Sequence, residues 1–137
     1  MGEFSTFKAL RSGLIVAALL SSGHAFAFDL TGAWASDAQL CDHVFVKKGG
    51  AVDFAELSDL YGSGFIVNGD AIRAKGGKCT ITSRRQDGDS TVLSASCATT
   101  IMTSDLQFRY KVIDDNTLLR DFPEIKDMTL TYSRCRM

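Results

Sequence analysis

Apolar and polar residues alternate along most of the chain beyond residue 28. Leu106, Phe108, Tyr110 and Val112 are separated by Gln107, Arg109 and Lys111. That is the period of two that gives a strand one buried and one wet face. Met128, Leu130 and Tyr132 repeat it against Thr129, Thr131 and Ser133. Phe65-Ile66-Val67, Asn68-Gly69 and Asp70-Ala71-Ile72 read as a hairpin, with Asn-Gly as a type I′ pair. Val44 to Lys48 and Ala51 to Ala55 read as strands around Gly49-Gly50. A continuous helix from Ala38 to Lys48, stopped by Gly49, competes with that reading. Asp29 to Trp34 opens the domain as a strand, and Ser36 or Asp37 is placed to cap a short helix running to about Asp42. Asp114-Asp115-Asn116 turns into Leu118-Leu119, and the lone Pro123 belongs at a strand end or edge. The pattern predicts an all-β domain of about eight to ten short antiparallel strands with one short N-terminal helix. Closure into a roughly eight-stranded barrel removes the exposed edges, and a two-sheet sandwich is the alternative.

The first residues follow a different pattern. Lys8 and Arg11 precede the apolar run Leu14 to Leu20, and Ala25-Phe26-Ala27 follows. That order predicts an export signal over residues 1–27, with a single domain over 28–137 in the periplasm or secreted. The apolar run is too short to span a bilayer, which takes about 20 residues, so no stable membrane insertion is expected.

Export changes the meaning of the cysteines. All four, Cys41, Cys79, Cys97 and Cys135, lie beyond the signal, and an even number in a small exported domain reads as disulfides. Asp87-Gly88-Asp89 is a hairpin turn signal, and Gly88 lies midway between Cys79 and Cys97. Folding about Gly88 predicts Cys79–Cys97, which leaves Cys41–Cys135. No close cysteine pair of the zinc-site kind occurs, and His43 is the one histidine beyond the signal, so no metal is expected.

Charge adds little. Without Lys8, Arg11 and Glu3, the chain's 15 basic and 16 acidic residues become 13 and 15, a net of −2. No basic stripe invites nucleic acid. The carboxylate pairs Asp87/Asp89, Asp114/Asp115 and Asp121/Glu124 sit in predicted turns, where short polar side chains are ordinary. No Gly-x-Ser-x-Gly elbow accompanies a serine. No enzymatic activity and no cofactor are expected.

Gly32-Ala33-Trp34, at the start of the first strand, resembles the Gly-x-Trp opening of lipocalin-like barrels. The resemblance implies that Trp34 closes the bottom of a barrel under an arginine from near the domain's end, Arg134 or Arg136, in a cation–π contact. The Thr-Asp-Tyr motif of lipocalins is absent, and the domain is shorter than theirs. The same opening followed by Cys41 is similar to small periplasmic barrels that inhibit proteases. Other periplasmic barrels inhibit lysozyme. The nearest overall likeness is to small exported bacterial β-barrel proteins without an assigned function.

Two functions follow as expectations. One is a periplasmic, lipocalin-like binding protein for a small, partly apolar molecule, held by Phe65, Phe108, Tyr110 and Leu130 in an internal cavity. The other is a protein-binding module, such as an inhibitor of an envelope protease or lysozyme, anchored by Tyr61 in a flexible Leu57–Gly64 stretch. Small residues between Thr91 and Thr103 leave space inside a barrel or let a narrow one close.

Overall fold

The computed structural model describes residues 27–137, so the predicted export signal lies outside the described residues except for Ala27. Eight strands form a closed antiparallel barrel. Strand β1 (Gly32–Ala35) is followed by a 3-10 turn (Ala38–Leu40), helix α1 (Cys41–Val44) and the hairpin β2 (Phe45–Lys48) and β3 (Ala51–Phe54). A second 3-10 turn (Ser58–Tyr61) leads into β4 (Gly64–Asn68), β5 (Ala71–Ala74), β6 (Gly77–Asp87), β7 (Ser90–Ala98), β8 (Thr103–Asp114), β9 (Thr117–Asp121) and β10 (Thr129–Cys135). Strands β4 to β10 form an up-and-down meander. Strand β1 closes the ring by pairing with β10 on one side and β4 on the other. The β2–β3 hairpin is a separate two-stranded sheet outside the barrel.

Turn chemistry sets the registers. Both Gly49 and Gly50 have positive φ, as a type I′ pair requires. At the β4–β5 turn Asn68 pairs with Ala71, so the loop is Gly69-Asp70 rather than Asn68-Gly69. Gly69 alone has positive φ there, the pattern of a type II′ turn, which needs glycine first. Gly88-Asp89 repeats that arrangement between β6 and β7, where Asp87 pairs with Ser90.

An uninterrupted β6–β7 ladder counted back from that turn would set Cys79 opposite Ala98. The register shifts between Ile81 and Ser83, and the extra residue, Thr82, brings Cys79 opposite Cys97. A bulge of this kind bends the strand and moves every later residue by one place. Cys79–Cys97 and Cys41–Cys135 are both formed, as the turn symmetry predicts. Paired cysteines fit an oxidising compartment.

Alternation along β1 separates two cores. Trp34, wholly buried, points into the barrel with Val67, Ile81, Leu93, Leu118 and Tyr132. Ala33 and Ala35 point outward, where their small size admits Val44, Phe45 and Cys135 into an outer core beneath α1 and the hairpin. Gly64 permits the same approach, because a Cβ there would meet Phe45 and Val44 at 2.9 Å. Cys41–Cys135 ties this cover to the last strand.

The floor of the barrel is built around Arg134. Its guanidinium carbon stands 4.3 Å over the Trp34 ring. Its N–H groups donate to the carbonyls of Asp29, Thr31 and Asp115, binding the N-terminal segment and the β8–β9 turn together. Trp34 Nε1 donates to Leu30 O at 2.9 Å, which folds that segment under the ring. Gly32, with φ of 134°, lies so close that a Cβ would stand 3.0 Å from Arg134 Nη1. Only glycine suits both the backbone and the contact.

A cation–π contact contributes about 0.5–2 kcal/mol, and a hydrogen bond to a charged group about 1.5–3 kcal/mol. The carbonyl bonds are therefore the larger part of the clamp. Arg134→Met is expected to destabilise by about 2 kcal/mol or more in urea unfolding, and Arg134→Lys is expected to recover less than half of that loss. Full recovery by lysine would assign the clamp to the charge over Trp34 instead. Removing Cys41–Cys135, with a sequence separation of 94, is expected to cost about 4.5 kcal/mol. Removing Cys79–Cys97, with a separation of 18, is expected to cost about 3 kcal/mol. The opposite ranking in urea would show that loop length does not order the two.

The candidate ligand cavity

The two ends of the barrel differ. The lower end carries the tight turns 69–70, 88–89 and 115–116 and is closed by Trp34 and the N-terminal segment. The upper end carries the connections 75–76, 99–102 and 122–128 and opens into the barrel. A cavity of about 470 Å³ runs down from this mouth. That falls in the range of small-molecule sites, about 300–1,000 Å³.

The cavity wall comes from inward positions of successive strands. Phe65 on β4, Ile72 on β5, Leu93 on β7 and Leu118 on β9 provide its apolar lining. Phe108 and Tyr110 come from β8. The strand pairings set Leu93 opposite Phe108 and Leu118 opposite Tyr132, so the wall is continuous around the ring. The Cys79–Cys97 disulfide is part of the wall near the mouth. Leu30 reaches the cavity from the N-terminal segment.

Of the four residues expected to hold a ligand, Phe65, Phe108 and Tyr110 line this cavity. Leu130 is inward and partly buried, but it packs against the inner core outside the lining. Tyr132 takes part where Leu130 does not, with its ring edge on Phe65 at 5.0 Å and its hydroxyl 3.0 Å from Ser63 Oγ. Its alternation with Leu130 in the sequence was the available signal. The small-residue stretch lies on β7 and the connection after it, and Ala95 is inward and buried. It opens space at the wall facing Leu106.

Tyr61 lies elsewhere. The expected flexible stretch contains a 3-10 turn beside the mouth, and the Tyr61 ring stacks on His43 at 4.6 Å. The stretch is held to the barrel by Ser36 N donating to Ser63 O and by Lys75 pairing with Asp59 at 3.0 Å. His43 is thus an exposed stacking partner of Tyr61, at the end of α1. Arg136 is exposed at the chain's end, and Arg134 occupies the place over Trp34.

Polar chemistry in the cavity is sparse. Burial raises the Tyr110 phenol above its ordinary value, against a hydrogen bond with Thr91 and the charge of Arg84, so it is neutral at physiological pH. Carboxylates elsewhere are shifted the other way. Hydrogen bonds from Arg109, Lys111 and Lys75 hold Asp87, Asp89 and Asp59 below the usual range, and backbone N–H groups do the same for Asp29 and Asp53. Such groups are ionised at neutral pH, the reverse of what a general acid needs. The turn carboxylates Asp87 and Asp89 reach from the β6–β7 turn to Arg109 and Lys111 on β8. Among the described residues no three His, Cys, Asp or Glu side chains converge on a metal position.

Arg120 escaped the sequence reading. The β8–β9 and β9–β10 registers pair it with Tyr110 and Leu130, both inward, so it too lies on the inner wall. A period-two reading started at Leu118 would have flagged it.

No family model, curated protein or solved structure matches this chain, so the reading of the cavity rests on its own geometry.

Proposed function

We propose that this protein is a non-enzymatic, exported binding protein that holds a small, partly apolar molecule inside its barrel. The observation that supports this most is the cavity of about 470 Å³ with a closed aromatic floor and an open mouth. A narrow barrel gains nothing in stability from an unfilled interior, since cavity surface forfeits packing. Phe65, Phe108 and Tyr110 supply rigid apolar contact area, and the Tyr132 and Ser63 hydroxyls supply polar contacts near the mouth.

A second reading has its own observation. Large apolar side chains are exposed on the connections around the mouth, with Leu60 at 70% and Ile101 at 89%. Apolar groups concentrated on one end fit a protein partner, such as an exported protease or lysozyme, with Tyr61 beside them.

Native mass spectrometry of the protein purified from its own source separates the two. The binding reading expects a small-molecule mass that is lost on denaturation. Leu106→Trp, at a half-exposed position on the cavity wall, is expected to abolish that added mass while leaving the unfolding midpoint nearly unchanged. A ligand retained by Leu106→Trp would place the molecule outside the cavity. A bare protein moves the assignment to the partner reading, in which Tyr61→Ala weakens inhibition of the target by about tenfold or more.

A further inference from the structure

We propose that the ligand is an amphiphile with an oxyanion head, an alkyl carboxylate or alkyl phosphate, whose head sits on Arg120 and whose tail runs down towards Trp34. The inference deepens the binding reading above and rests on it.

Arg120 is the charged group the barrel places inside its own wall. Its guanidinium carbon lies 4.9 Å from the Phe108 ring centre and 4.4 Å from that of Phe122. Both rings are on the mouth side of Arg120, since β8 descends from Thr103 and β9 climbs to Asp121. The side chain therefore extends towards the opening. The rings stabilise the charge, but they give its N–H groups no conventional acceptor.

The unmet hydrogen bonding is specific. Nε of Arg120 is buried without a hydrogen-bond partner among the described residues. Every ion pair of the described residues involves other cations. The cavity lining contains Arg120 and Lys78 and no carboxylate. The guanidinium's N–H groups form a planar fork that matches two oxygens of a carboxylate or phosphate. Below the fork the wall is Leu93, Leu118, Phe65 and Leu30, which suits an alkyl tail and offers no partner to a second charge.

Hydrogen bonds to an ionised head are stronger than those to a neutral one, so the head should add about tenfold in affinity. The test uses probes that share one dodecyl tail: dodecanoate, dodecyl phosphate, dodecanol and dodecylammonium. Each is titrated below its aggregation concentration at neutral pH. Binding is read by calorimetry and by the fluorescence of Trp34, the chain's only tryptophan.

One or both oxyanions are expected to bind about tenfold tighter than dodecanol, and dodecylammonium more weakly than either. The tighter oxyanion identifies the head. Arg120→Met should bring oxyanion affinity down to that of dodecanol, whose own affinity stays unchanged, and Arg120→Lys should keep part of the preference. Equal binding of dodecanol and both oxyanions by the unaltered protein overturns the head assignment and leaves the cavity reading in place. Failure of every probe to bind, dodecanol included, overturns the cavity reading along with it. The comparison of probes on the unaltered protein decides the matter even if Arg120→Met fails to fold.

Discussion

Ring closure depends on one short strand. Residues 32–35 pair with 133–135 on one side and 64–67 on the other, and without them β4 and β10 would both be open edges. A strand of four residues offers few hydrogen bonds for that task. The remainder comes from what the strand carries: Trp34 inside, Ala33 and Ala35 outside, and Gly32 where Arg134 crosses. Arg134 then joins two separate pieces of backbone, the N-terminal segment at Asp29 and Thr31 and the β8–β9 turn at Asp115. One guanidinium thus closes the floor and anchors the strand that closes the ring.

The same arrangement makes the two ends of the barrel unequal. Floor contacts are short-range: Phe28 lies tilted against Trp34 at 6.2 Å, and Phe65 stacks on Trp34 at 6.3 Å. Above them β8 runs on from Arg109, where Asp121 ends β9, to Thr103 at the mouth, whereas β5 and β6 end level there with Ala74 opposite Gly77. A wall of uneven height cannot be capped by its own side chains at the top. Space remains between Phe108, Leu106 and the Cys79–Cys97 disulfide, and that space is the cavity. Trp34 and β7 are coupled through this shape, since the floor fixes the ring's circumference and the small Ala95 leaves room within it.

Much of the fold was legible because strand alternation and turn residues are local signals. The Leu106–Val112 alternation gave β8, and Gly49-Gly50 gave the β2–β3 turn. Cys79–Cys97 was found by symmetry about Gly88, yet that symmetry works only because Thr82 is a bulge. A two-residue turn alone would have misaligned the cysteines by one. Bulges depend on both strands at once, so a single stretch of sequence does not show them. The Gly69-Asp70 turn was displaced by one residue for the same reason, as Asn68 is taken by pairing with Ala71. Leu130, expected in the cavity, lies on the inward face but outside the lining, because alternation fixes a side and not a height along the barrel.

Arg120 shows where residue type hides what alternation offers. A charged residue is read as belonging to the wet face of a strand, although alternation from Leu118 puts Arg120 on the same side as Leu118. Registers on both sides place Arg120 inward. Two aromatic rings return about 2 kcal/mol each for a desolvated cation, and a buried unpaired N–H costs about 1–3 kcal/mol. The unpaired N–H thus takes back much of what the rings return, while Leu or Met in the same place would pack the wall at no such cost. Phe122, just beyond the strand, adds its ring to Arg120 and to nothing else in the aromatic network of the described residues. A group that the fold supports on its faces and leaves unsatisfied at its nitrogen is poorly explained by stability alone.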